Sequence, residues 1–123
     1  METKEIPSNG WDKLFERIND LRRQALLTVD VLRGGQKEQI ARELPLQKIE
    51  LDRSDRCNDR VALHLGVASQ RPMTHLIVQP IHILLREAEN GSFNPLEIDA
   101  ESGVTLLTFH PALRPDILQG LQD

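Results

Sequence analysis

Between Ala25 and His110 the chain is a series of short stretches in which apolar and polar residues alternate, separated by glycine and proline. Leu27, Val29 and Val31, for example, alternate with the polar residues Thr28 and Asp30. Successive side chains of a strand point to opposite faces, so alternation with a period of two is typical of a half-buried β-strand. The sequence therefore predicts an antiparallel β-meander over about residues 25–110, with sequence-adjacent strands joined by tight turns.

Two prolines interrupt this alternation and invert it. Apolar positions resume out of phase at Ile49 after Pro45, and they change from even to odd numbers across Gln79 and Pro80. A straight strand cannot change phase, because a shift of one residue moves every side chain to the other face. Bends or bulges at both prolines therefore predict a sheet of six or seven strands that curls towards a small barrel. The side chains expected to point into its centre include Val29, Leu63 and Ile83.

An amphipathic helix is predicted before the strands, over about residues 9–23, with Ser8 or Asn9 as its N-cap. A short C-terminal helix is predicted over about residues 114–121, opened by Pro115. The predicted fold class is thus α+β, with an N-terminal helix packed on a curled antiparallel sheet in a single domain of residues 1–123. The apolar side chains that recur at helical spacing in the first helix are Trp11, Leu14, Phe15, Ile18 and Leu21.

Composition limits the partners that this chain is expected to have. Its net charge of −4 gives no general attraction to nucleic acid or to an anionic membrane, and it has one tryptophan, three phenylalanines and no tyrosine. Cys57 is the single cysteine, so no intrachain disulfide can form. We find no signal-peptide pattern and no apolar run of membrane-spanning length, which predicts a cytoplasmic location.

The histidines are the candidates for a site. Folding the 61–78 region between Ser69 and Gln70 would place His64 opposite His75, and His82 on the next strand would approach them. A zinc site normally needs three or four protein ligands, so the sequence assigns no metal and no cofactor. The alternatives are a histidine pair at a surface or interface, or a small-ligand or metal-dependent activity. The apolar residues predicted on the same face are Ala62, Met73, Ile77 and Leu84.

This apolar outer face predicts either self-association or coverage by the helices. No nucleophile elbow, metalloprotease motif or phosphate-binding loop is present, and no catalytic residue is assigned. The leading hypothesis is a non-enzymatic binding or assembly module that forms a homo-oligomer or binds an unknown protein. RNA binding on an Sm-like barrel is a further alternative, based on architecture alone.

Short motifs occur along nearly the whole chain. They are Thr3-x-Glu5-Ile6-Pro7 with Trp11 and Phe15, Leu44-Pro45-Leu46, His75 with Pro80, Leu96-Glu97-Ile98, and Thr105-Leu106-Leu107-Thr108-Phe109. Together they resemble a bacterial family known only as a domain of unknown function. The resemblance implies a stand-alone cytoplasmic protein, with no catalytic or binding residues to carry over. The chain departs from the family pattern after Phe109, where His110 and Pro111 replace a more polar ending.

Overall fold

The computed structural model describes residues 2–21, 25–53, 59–67 and 70–119. Within these ranges the one α-helix, α1, spans Trp11–Asn19 and follows a 3₁₀ turn at Ser8–Gly10. The N-cap is Gly10, so the predicted cap at Ser8 or Asn9 is wrong by one or two residues. Residues 22–24, at the end of the predicted helix, lie outside the described ranges.

The described residues form eight strands, where six or seven were predicted. A 3₁₀ turn at Pro115–Leu118 lies where the sequence predicted the C-terminal helix, and residues 120–123 are outside the described ranges. The first strand was not predicted. The strands are β1 (Glu2–Ile6), β2 (Leu26–Arg33), β3 (Gln36–Asp52), β4 (Arg60–Val67), β5 (Gln70–Val78), β6 (Pro80–Glu87), β7 (Phe93–Ala100) and β8 (Gly103–His110).

All eight strands belong to one antiparallel sheet with the hydrogen-bonded order β1-β6-β7-β8-β2-β3-β4-β5. The predicted barrel-like curl is wrong. In this order β1 and β5 remain as separate edges, and the sheet is neither closed nor strongly curled. A barrel would require pairing between the two end strands. The fold is α+β, as predicted.

The long strand β3 changes partner near its proline. Its first half pairs with β2 as far as Pro45, and its second half pairs with β4 from Leu46 onward. Glu43, just before this point, has a positive φ of 48°, and its amide donates a hydrogen bond to the Thr28 hydroxyl. The break predicted at Pro45 is therefore the position at which the sheet passes from one set of strands to the next.

Aliphatic side chains dominate the core, as the scarcity of aromatics requires. Val29, Leu63 and Ile83 are all fully buried, as expected. The change from even to odd positions predicted across Gln79 and Pro80 is wrong, because Ile77 is already buried before it and Leu76, Val78 and Ile81 are all exposed. One face of α1 packs against β3 and joins the same cluster. The Trp11 indole N–H donates to the Ile6 carbonyl oxygen at 2.9 Å, which ties the helix to the end of β1.

Two asparagine side chains continue the sheet where strand pairing stops. Beside α1, the Asn19 Nδ2 donates to the Ile49 carbonyl oxygen at 2.9 Å and the Ile49 amide donates to Asn19 Oδ1 at 2.7 Å. Asn94 makes the same pair of bonds with the backbone of Phe109, both at 2.8 Å. Each side-chain amide thus satisfies one donor and one acceptor that would otherwise lack a strand partner.

We expect Asn19→Ala to destabilise the protein by about 2 kcal/mol, because both bonds are lost and the part-buried backbone of Ile49 is left unpaired. Urea denaturation followed by circular dichroism measures this change. Asp20→Ala is the matched control, because Asp20 is the residue after Asn19 and its side chain is exposed. Equal losses in the two variants would contradict the role given to the Asn19 amide.

Candidate functional site

The two histidines predicted to face each other lie on opposite faces of the sheet. The register pairs His64 with Thr74 and Leu63 with His75, one residue away from the predicted alignment, so the predicted pairing of His64 with His75 is wrong. The pairing is further shifted between Leu65 and Val67. A slip of one residue inverts the face of a whole strand, and here it separates the two imidazoles.

His64 lies on the outer face of β4 and is held by side chains from both neighbouring strands. Its Nε2 is 3.2 Å from Glu50 Oε2 on β3, and its Nδ1 is 3.2 Å from the Thr74 hydroxyl on β5. A neutral imidazole protonated on Nε2 satisfies both, donating to the carboxylate and accepting from the hydroxyl. Hydrogen bonds from Lys48 and from His64 lower the pKa of Glu50. This histidine therefore bridges three strands.

His75 lies on the inner face of β5, where it is half-buried. It lines a small cavity of about 10 Å³ together with Val31 and Arg33 of β2, Ala100 of β7 and Thr105 of β8. Burial lowers the pKa of His75, and the Arg33 charge lowers it further. The neutral imidazole is thus favoured at this position.

The remaining candidates are equally dispersed. His82 is exposed on β6, where its Nδ1 is 2.7 Å from Glu5 Oε2 of β1. Ile77 is buried and Met73 is half-buried on the inner face of β5, not on the outer face where the predicted register placed them. Among the described residues, no three histidine, cysteine, aspartate or glutamate side chains are grouped so that they could hold a metal ion. Cys57 lies outside the described ranges.

The open side of β5 can be assigned from one hydrogen bond. The Gln79 amide donates to the Asp59 carbonyl oxygen at 2.8 Å, and the ladder continues in register from there to Leu65 and Met73. Hydrogen-bonded and non-hydrogen-bonded pairs alternate in an antiparallel ladder. The odd-numbered residues of β5 therefore bond to β4, and the even-numbered residues direct their N–H and C=O groups away from it. These outward residues are Thr74, Leu76 and Val78.

These three residues form what we call the β5 edge. All three residues are exposed: Leu76 is 54% and Val78 is 50% exposed. Ile81, just beyond Gln79 and Pro80, is 52% exposed and extends the apolar surface onto β6. Among the described strands, β5 pairs only with β4.

A carboxyl pair that the sequence did not predict lies on β7. Glu97 and Asp99 are two residues apart on the outer face, and both are half-buried. Burial raises the pKa of Glu97, as does Asp99, against an opposing effect from Arg86, whose Nη2 is 3.6 Å from Glu97 Oε1. Asp99 Oδ1 is buried and has no hydrogen-bond partner within the described structure. The sequence signal that could have identified this pair is its spacing, because two acidic residues at alternate positions of a predicted strand lie on the same face.

Residues of α1 and of the second half of β3 line an open groove of about 570 Å³. The one cation among its lining residues, Lys48, forms an ion pair with Glu50 at 2.7 Å. Carboxylates therefore dominate its surface. Those that line it are Asp12, Glu16, Asp20, Glu50 and Asp52.

We expect stability to fall as the pH drops below about 6.5, because the lowered pKa of His75 means that the unfolded chain binds the proton more tightly. Well above that pH the imidazole is neutral in both states, and this contribution is fully present. His75→Gln should flatten the dependence between pH 5 and 7, as measured by urea midpoints across that range. His110→Gln, at an exposed position, is the control and should leave the slope unchanged.

We expect Glu97→Gln to raise the urea midpoint at pH 7. The raised pKa means that ionisation costs more in the folded state, so stability is lost as the pH rises from 4.5 through the folded-state pKa. The gain should disappear near pH 4, where both states are protonated. Glu89→Gln, at an exposed residue, serves as the control. A lower midpoint at pH 7 for Glu97→Gln would show that the Arg86 contact outweighs burial and repulsion.

Comparison with known proteins gives a family but no function. Within the described ranges, no helix combines the length and apolar character that crossing a membrane requires. No curated protein and no solved structure matches the chain significantly. One family model matches residues 2–116, which is nearly the whole chain, and it is described as a family of unknown function, DUF5335. The chain therefore belongs to DUF5335.

Proposed function

We propose that this protein is a non-enzymatic assembly module that associates with a second copy of itself through the β5 edge. The observation that carries the proposal is an exposed edge strand with outward backbone groups and large apolar side chains at Leu76 and Val78. An unpaired strand edge is a template for pairing with another chain. The β5 edge meets that description.

The charge of the two sheet edges supports the same conclusion. Edge strands are commonly protected by charged side chains. The sequence of β1, Glu-Thr-Lys-Glu-Ile, follows that rule, whereas no Asp, Glu, Lys or Arg occurs between Pro72 and Pro80. Two copies of β5 can therefore approach each other without repulsion between like charges.

The two alternatives gain no support from the geometry. A metal- or ligand-dependent activity at His64 and His75 would need both imidazoles on one face, and they lie on opposite faces. RNA binding by base stacking would need exposed aromatic side chains. The four aromatic side chains, Trp11, Phe15, Phe93 and Phe109, are all buried.

We expect the wild-type protein to dimerise in a concentration-dependent manner in sedimentation velocity experiments, and Leu76→Lys to weaken the dimer at least about tenfold. A lysine on each copy would place like charges opposite each other at the interface. Thr3→Lys introduces the same charge on the other edge strand, at an exposed position, and should leave dimerisation unchanged.

Circular dichroism and urea midpoints confirm that both variants are folded. A wild-type protein that stays monomeric at millimolar concentration contradicts the proposal. Equal weakening by the two lysine variants also contradicts it, because that result would reflect net charge and not the β5 edge.

A further inference from the structure

We infer that the assembled form is a closed two-fold dimer in which the β5 strands pair antiparallel with Leu76 opposite Leu76 of the second copy. This inference rests on the proposed function and specifies its partner and register. The same patch meets itself in a two-fold interface, so the strand must be complementary to its own reversed sequence.

The outward backbone groups fit that requirement. With Leu76 at the two-fold axis, Thr74 lies opposite Val78 of the second copy, and all three outward residues of each strand lie at hydrogen-bonded positions. Each such pair exchanges two N–H···O bonds, which gives about six backbone hydrogen bonds across the interface.

Pro72 favours this register over one neighbouring register. It lies four residues before Leu76 and has no N–H to donate. A shift of two residues that placed Val78 opposite Pro72 would leave the Val78 carbonyl oxygen without a donor. The proline at position 72 also has the same parity as the outward residues, which agrees with the confinement of strand prolines to solvent-facing edge positions.

The side chains on the outer face are compatible with the same alignment. The two Leu76 side chains would be direct cross-strand neighbours, and each Val78 would pack beside a Thr74, a pairing of two β-branched residues. On the inner face, His75 would lie opposite Ile77 of the second copy. The interface would contain no charged side chain from 73–79.

The arrangement closes after two copies. Pairing uses the β5 edge of both molecules, and the edges that remain are two β1 strands that carry charged residues. A two-fold contact uses the same surface of both molecules, so no copy of that surface remains free. A head-to-tail contact would leave one binding surface free at each end and could continue into a filament. We therefore expect a dimer at all concentrations where association occurs, with no larger species.

Single-cysteine cross-linking tests the register. In a Cys57→Ser background we would introduce Leu76→Cys, Thr74→Cys and Val78→Cys separately, oxidise the proteins mildly and resolve them on non-reducing gels. Directly opposite residues at hydrogen-bonded positions have Cα atoms about 5.5 Å apart, within the range that a disulfide spans. Residues offset by four positions lie more than ~10 Å apart and cannot be joined.

We expect the Leu76→Cys protein to cross-link with itself at least about fivefold more than either other variant alone. The Thr74→Cys and Val78→Cys proteins should cross-link only when they are mixed. Strong self-cross-linking of Thr74→Cys or of Val78→Cys would overturn the inferred register. The register is also overturned if the three cysteine variants sediment as dimers but none of them, alone or mixed, forms a cross-link. In that case the Leu76→Lys experiment decides whether the dimer uses the β5 edge. A monomer at every concentration overturns the proposed function itself.

Discussion

The change of partner within β3 positions the helix and organises the whole sheet. The backbone of Pro45 cannot donate to a ladder, and β3 leaves β2 there and pairs with β4 instead. Since β2 no longer accompanies the second half of β3, that side is open to the helix. Asn19 supplies the missing donor and acceptor to Ile49, and the apolar face of α1 completes the core.

The same partner change decides which strands become edges. β4 and β5 extend the sheet from the far half of β3, while β1 is added beside β6 at the other end. The two edges differ chemically. β1 carries charged side chains that discourage pairing, and the stretch from Pro72 to Pro80 carries none. The interaction that we propose follows from this difference and from the exposure of Leu76 and Val78.

The candidate histidine site shows how sensitive such a prediction is to register. The strands around His64 and His75 were predicted correctly. Their register was predicted by folding the chain symmetrically about the bond between Ser69 and Gln70. The ladder is shifted near that turn, between Leu65 and Val67, and the slip sends the two imidazoles to opposite faces. Turn geometry and local irregularities decide register, and the residue pattern of 61–78 does not encode them uniquely.

The residue pattern was enough to predict the α+β class, the helix face from Trp11 to Ile18, and the inward phase of Val29, Leu63 and Ile83, because side-chain periodicity acts locally. It did not reveal β1, since five mostly polar residues form a strand only when β6 is already present as a template. The open order of the sheet, the Glu97–Asp99 pair and the exposure of the β5 edge were decided by tertiary structure alone. Each depends on which strands become neighbours across long sequence separations, and backbone hydrogen bonding between strands is nearly independent of side-chain identity.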